Sequence, residues 1–264
     1  MANYTAKDVS MLRQMTGAGM LDCKKALEET DGDIEKAAQL LREQGKAGAA
    51  KRSDRDASEG AVTAVRSGDA AAVVELRCET DFVAKSAEFV ALADELAALV
   101  AAKGEDAVSE LDDEIDNLRS TLKENISVGR VRRLVAEGGQ VVDTYLHQQA
   151  GRGVNAVGIV LEGGSEELAH DIAVHIAFAK PAFLSRDDVP AEEVATERAT
   201  LETISRNEGK PEAALGKIVD GRMNGWFKER VLLDQGYVRD EKQTIASMLG
   251  SARIVAFAQV VVGA

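Results

Sequence analysis

Aromatic residues, cysteines, histidines and positive charge are all scarce in this chain, and each shortage removes a class of architecture or chemistry. Aromatic side chains make up 4% of the 264 residues against 45% hydrophobic residues overall. The core must therefore be built from Ala, Val, Leu and Ile, a palette that favours closely packed helices and Val-rich strands. The two cysteines, Cys23 and Cys78, lie far apart and lack metal-ligand spacing. They form no disulfide framework and read as reduced packing residues. Of three histidines, His170 and His175 are five residues apart, which sets them at different angles on a helix rather than at the four-residue spacing of a zinc pair. No uncharged apolar run reaches membrane-spanning length, and the start Met1-Ala2-Asn3-Tyr4-Thr5-Ala6-Lys7-Asp8 lacks the basic-then-apolar layout of a secretory signal. A cytoplasmic location, away from membranes, is expected. The formal net charge of −13 argues against direct binding of nucleic acid or an anionic lipid surface.

The loops of nucleotide and hydrolase chemistry are missing too. There is no Gly-x-Gly-x-x-Gly after a strand, no phosphate loop ending in Gly-Lys-Ser/Thr and no Gly-x-Ser-x-Gly elbow. Acidic residues are so numerous that neighbouring carboxylates arise by number alone and signal no catalytic pair. The expectation is a protein that is not an enzyme, with no cofactor, no metal and no small-molecule substrate.

What is present is patterned. Residues 1–56 carry ten basic and ten acidic residues, leaving 22 basic against 35 acidic for the rest, so a neutral head precedes an acidic body. In the head, Thr5 and Asp8 form a capping pair before a helix carrying Val9, Leu12 and Met15, which ends at Gly17-Ala18-Gly19. A second helix fits Leu21 to Glu29. A third follows Asp31-Gly32-Asp33, with Ile34, Ala37, Ala38 and Leu41 as its stripe and a stop at Gly45. Residues 1–45 thus read as a three-helix module. Residues 46–60 offer no large apolar side chain and read as a linker, in part helical.

Beyond residue 60 the period changes to two. Ala61–Val65 and Ala71–Leu76 read as a hairpin around Arg66-Ser67-Gly68-Asp69. A long apolar-periodic helix from about Phe82 to Ala102 follows, then a charged helix from about Glu105 to Glu124. Val128–Val135, Val141–His147 and Val154–Leu161 read as strands, Ser165–Ala179 as a helix, and Ile254–Val262 as a last strand. Residues 60–102 and 139–180 repeat the order strand, Gly-containing turn, strand, helix, which predicts an α+β class with a core of two related subdomains, 61–138 and 139–264. Within the second, residues 190–233 hold two charged helical runs around Gly209-Lys210-Pro211, the pattern of a protruding antiparallel helical hairpin.

The most informative segment is Arg77-Cys78-Glu79-Thr80-Asp81-Phe82-Val83-Ala84-Lys85. Periodicity alone makes it a capped helix start with Phe82 tucked into the local core. Its Thr80-Asp81-Phe82-Val83-Ala84 resembles the signature of the elongation factor Ts family. Arg13 to Leu27 is similar to that family's N-terminal block, and Gly32-Asp33-Ile34, Glu124-Asn125-Ile126, Ile172 to Ala177, Lys180-Pro181, Glu208 to Pro211 and Gly221-Arg222-Met223 follow in order. One departure is Leu122-Lys123, where many members carry Ile-Gly.

The resemblance implies a ubiquitin-associated-like N-terminal module, a two-subdomain core and the helical hairpin. It implies a guanine nucleotide exchange factor in translation elongation that binds the GTPase EF-Tu and promotes GDP release. Asp81 and Phe82 match the pair that intrudes near the partner's Mg²⁺ site, with Thr80 and Val83 completing the motif. Lys24 matches a partner contact in the N-terminal module and His147 one in the core. The alternative is a non-catalytic adaptor that binds other proteins through the three-helix module.

Overall fold

The computed structural model describes residues 3–50, 52 and 54–264. Three helices open the chain: α1 (Ala6–Thr16), α2 (Met20–Glu29) and α3 (Ile34–Ala50). Thr5 and Asp8 cap α1 reciprocally, each satisfying a backbone N–H at the helix start. Leu12, Cys23, Ala26, Leu27, Ala37 and Leu41 bury the shared face. α3 does not stop at Gly45. Residues 46–50 of the expected linker continue the helix, because Ala and Lys are strong helix formers even with nothing to bury. Lys51 and Ser53 of that linker lie outside the described residues. Gly45 serves instead as a point of close approach: a Cβ there would lie 2.7 Å from Ser120 Oγ on the core.

The core holds two three-stranded antiparallel sheets. The first pairs β1 (Glu59–Ser67), β2 (Ala70–Cys78) and β3 (Ser127–Val135) in that order. The second pairs β4 (Gln140–Gln149), β5 (Arg152–Glu162) and β8 (Arg253–Val261), so each has the second strand of a hairpin at its centre. Alternation along the central strands explains the layers. Ala72, Val74, Leu76 and Cys78 of β2 face one helical layer, while Val157, Ile159 and Leu161 of β5 face another. The opposite faces meet each other through Val62, Val73, Ala156, Ala258 and Val260, with Ala71, Val142 and Val160 beside them. Small side chains bring the sheets close: a Cβ on Gly153 would lie 2.0 Å from the Val62 carbonyl oxygen. Each fully buried Leu or Ile in these layers contributes about 1.5–3 kcal/mol.

Two expected helices are broken. The run from Phe82 to Ala102 divides into α4 (Asp81–Ala84) and α5 (Ala87–Lys103), because Ser86 adopts an extended conformation and caps a new start, its Oγ accepting from the Phe89 N–H at 3.4 Å. The run from Glu105 to Glu124 is a 3₁₀ segment, Glu105–Leu111, and then α6 (Asp112–Leu122). α7 (Glu166–Ala179) covers the second sheet. The helical hairpin consists of α8 (Ala191–Asn207) and α9 (Glu212–Arg230), which pack through Val219, Met223, Phe227, Val194 and Leu201 and carry the ion pairs Arg198–Asp220 and Arg222–Glu208. A small hairpin of β6 (Gly236–Tyr237) and β7 (Asp240–Thr244), then α10 (Ile245–Leu249), precede β8 and carry no signal in the sequence reading. The internal repeat is visible as hairpin, covering helix and returning third strand in both halves. Among the described residues no helix is long and apolar enough to cross a membrane.

The sheets are also joined by charge. Glu75, fully buried on the intersheet face of β2, takes the Arg77 guanidinium at 2.9 Å and the Arg130 N–H and guanidinium through one carboxylate oxygen, while Arg130 reaches the Val261 carbonyl of β8. Burial alone would raise the carboxyl's pKa, but Arg77 and Arg130 outweigh it and hold Glu75 below its ordinary value. Arg152 of β5 makes a second link, donating to the Gly60 carbonyl at 2.5 Å and the Glu59 carboxylate at 2.8 Å on β1.

Candidate functional site

The segment between β2 and α5 is built to hold its shape. Thr80 is the N-cap of α4, and its hydroxyl accepts from the Val83 N–H at 3.4 Å. Helices of one turn are not stable in isolation, and this one is tied from outside. Glu124 accepts from the Glu79 N–H at 3.0 Å, the Thr80 N–H at 3.1 Å and the Thr80 hydroxyl at 2.5 Å. In return the Glu79 carboxylate accepts from the Asn125 N–H at 2.7 Å and from Arg55. Cys78, beneath this clamp, donates its thiol to the Thr80 carbonyl. Burial, then the nearby Glu124 charge, push its pKa up to about 12.

On this frame stands Phe82, 83% exposed, the most exposed of the large apolar side chains among the described residues. The reading from periodicity, in which Phe82 enters the core, is overturned: Ala84 takes the buried position and Val83 is the half-buried residue that packs on the first lobe. The cap sets the phase of the turn, and that phase turns residue 82 outward. Asp81 pairs with Lys85 one turn on, at 2.5 Å. That hydrogen bond, with the charge of Lys85 and Arg152, holds its carboxyl below the ordinary value.

The other two candidates stand on separate elements. Lys24 is exposed on α2 and lies 3.9 Å from Glu28, one turn away. Its helix is anchored beside the clamp, since Asp22 pairs with Lys123 at 2.7 Å, one residue before Glu124. His147 is exposed on β4, in register with Asn155, and lines a groove of about 770 Å³ whose walls include Glu59, Arg152 and the exposed Phe178. Thr80, Asp81, Phe82 and Val83 are thus one tip, and Lys24 and His147 belong to flanking surfaces. Among the described residues no group of three or more His, Cys, Asp or Glu is placed to hold a metal ion.

Comparison with known proteins adds the family. The family model described as Elongation factor TS matches residues 79–264. A curated protein of Clavibacter michiganensis named Elongation factor Ts is 46% identical over 278 aligned positions, covering 100% of both chains, and its namesake in Kineococcus radiotolerans is 45% identical with the same coverage. The chain belongs to the elongation factor Ts family. It is therefore a translation elongation factor, and the match to the elongation factor Ts model begins at Glu79, so the clamp and the tip both fall within it. α1 to α3 and the first hairpin precede that match but are covered by the full-length elongation factor Ts relatives.

Sequence reasoning missed two parts of this surface. Glu124 was noted only as part of a block, because its contact with Thr80 spans 44 residues and leaves no local trace. Phe178 went unremarked, although it stands one residue past the Ile172, Ala173, Ile176, Ala177 stripe and so points off the buried face of α7.

Proposed function

We propose that the chain is a guanine nucleotide exchange factor for EF-Tu, the GTPase that uses bound Mg²⁺ and GDP. The observation that carries this reading is Phe82: a phenyl ring held in water on a capped, externally tied turn contributes nothing to its own fold, and a chain of this family has a use for it at a partner. On docking, Phe82 enters an apolar pocket of EF-Tu as a wedge. Asp81 holds the displaced backbone and side chains, and the octahedral geometry that Mg²⁺ requires is lost. GDP then leaves because its phosphates lose the metal.

The magnitudes are adequate. Burying an exposed Phe contributes about 1.5–3 kcal/mol, and each tenfold gain in release rate needs about 1.4 kcal/mol off the barrier. One aromatic and the lost metal contacts together reach the roughly 4 kcal/mol of a thousandfold acceleration. Lys24 on α2 and His147 on β4 supply flanking contacts that fix orientation. Linkage makes the effect reciprocal, so that incoming nucleotide displaces the factor.

The test is stopped-flow release of a fluorescent GDP analogue from EF-Tu, with and without the wild-type chain and with excess Mg²⁺. Strong acceleration, reduced by Phe82→Ala, supports exchange through the metal site. A folded wild-type chain that binds EF-Tu without accelerating release would remove this reading and leave the adaptor role of the three-helix module.

A further inference from the structure

The Phe82 ring itself has no core contact, so its direction is set by the backbone of the turn, which is held on one side by Val83 and the buried Ala84 against the first lobe and on the other by the bonds that enter it at Glu79 and Thr80. α4 is only four residues long and has one side-chain cap, the Thr80 hydroxyl. That hydroxyl has a single hydrogen, and it goes to Glu124 at 2.5 Å, which leaves a lone pair to accept from the Val83 N–H. The second oxygen of Glu124 takes both backbone N–H groups that lead into the turn, those of Glu79 and Thr80. One carboxylate therefore sets the rotamer of the cap and the path of the chain entering it. Hydrogen bonds to an ionised carboxylate are about twice as strong as neutral ones. From the other side Asn125 pins Glu79, so the strand end and the segment after α6 hold each other reciprocally.

We propose that Glu124 is the positioning residue of the exchange tip: its carboxylate presets the backbone turn that presents Phe82 and Asp81, and so acts on nucleotide release through Phe82 without itself meeting the partner's nucleotide. This rests on the exchange reading above. The physical gain is preorganisation, since a wedge that is already aimed loses less freedom on docking than one on a loose loop. Glu124 also follows directly on Lys123, whose side chain holds α2 through Asp22. The segment that aims the tip is thereby continuous with the one that anchors the neighbouring contact helix.

The experiment is a double-mutant cycle. Glu124→Gln keeps the size, but its single oxygen serves the Glu79 and Thr80 N–H groups only when its NH₂ is turned to Thr80 Oγ, so the hydroxyl changes from donor to acceptor and the charge-assisted bonds become neutral ones. Glu124→Gln, Phe82→Ala and the double variant are compared with wild type in release of fluorescent GDP from EF-Tu at limiting factor concentration. Glu124→Gln is expected to slow release about tenfold, and the double variant to be no slower than Phe82→Ala alone. In parallel, amide hydrogen exchange at Phe82 and Val83 is expected to quicken in Glu124→Gln while the strands of both sheets keep their protection. Thr80→Val, which removes the hydroxyl that Glu124 orients, should resemble Glu124→Gln.

Wild-type release rates in Glu124→Gln, or losses that add fully in the double variant, would overturn the proposal. Global unfolding of Glu124→Gln, seen as lost circular dichroism, would also overturn it, by making Glu124 a residue of the fold rather than of the tip. Absence of acceleration by the wild-type chain would instead sink the exchange reading. The amide-exchange comparison then still decides whether Glu124 presets the turn, and unchanged exchange at Phe82 and Val83 would overturn that too.

Discussion

The two lobes of the core are built on one plan and differ where the central strand hands over to its covering helix. In the second lobe β5 ends at Glu162, passes through Gly163-Gly164, and Ser165 caps a single helix, α7, its hydroxyl accepting from the Leu168 N–H at 3.1 Å. In the first lobe β2 ends at Cys78, and the same passage contains an extra capped turn before Ser86 starts α5. The second lobe shows what the fold requires at this junction: one serine cap and two glycines. What exceeds that in the first lobe is the turn from Thr80 to Lys85 with its clamp of Glu79, Glu124 and Asn125; Val83 and Ala84 pack on the lobe, while Phe82 adds nothing to its core. The comparison also separates two phenylalanines, Phe82 on the added turn and Phe178 at the end of α7, both exposed.

The comparison can be broken first at the cores. Leu76 on β2 and Leu161 on β5 are both fully buried against their helical layers. Leu76→Ala and Leu161→Ala should each lower unfolding free energy by about 2–5 kcal/mol, measured by urea denaturation. If only one responds, the lobes are not equivalent supports. Next, Phe82→Ala should slow nucleotide release roughly tenfold or more with an unchanged melting curve. Phe178→Ala, the matching deletion in the second lobe, should change the rate by less than about threefold. Equal losses would make the exposed rings one surface and remove the special status of the added turn.

The charge between the sheets gives a pH test. Glu75 has its folded-state pKa held below the ordinary carboxylate value, so its stabilisation is present above the unfolded-state pKa and is lost as pH falls through the folded one. The wild-type melting temperature should fall from neutral toward acid pH, and Glu75→Gln should start lower and fall less steeply. An unaltered slope would show that the Glu75 cluster does not join the sheets energetically. The smallest effect is expected at Lys85→Ala. Losing the Asp81 partner should move the Asp81 titration up toward its ordinary value, as read by NMR, with the fold untouched.

Much of this was legible from the chain. Both hairpins and the third strands were legible as short apolar runs between turn residues, the central strands β2 and β5 being apolar on both faces because helices cover one and the opposite sheet the other. The layout of the repeat followed from the order of those runs. What local pattern could not supply was the break at Ser86, a single polar residue inside a run whose apolar spacing fits one continuous helix. Nor did it give α10 or the short β6–β7 hairpin, which are too brief for a period to register. The tip was found by its residues, yet its exposure ran against periodicity. The turn that exposes Phe82 is fixed by Glu124, and a contact between residues 80 and 124 is not encoded in either neighbourhood alone.

Both cysteines are fully buried, and Cys78 is held as a thiol by its surroundings. Only thiolates that reach solvent react with maleimides, disulfides or peroxide at useful rates. The native chain is therefore chemically quiet toward thiol reagents. A single cysteine placed at an exposed position such as Leu21 on α2 would take a fluorophore alone, with Cys23 and Cys78 left in place, and would let the approach of a partner be watched by energy transfer.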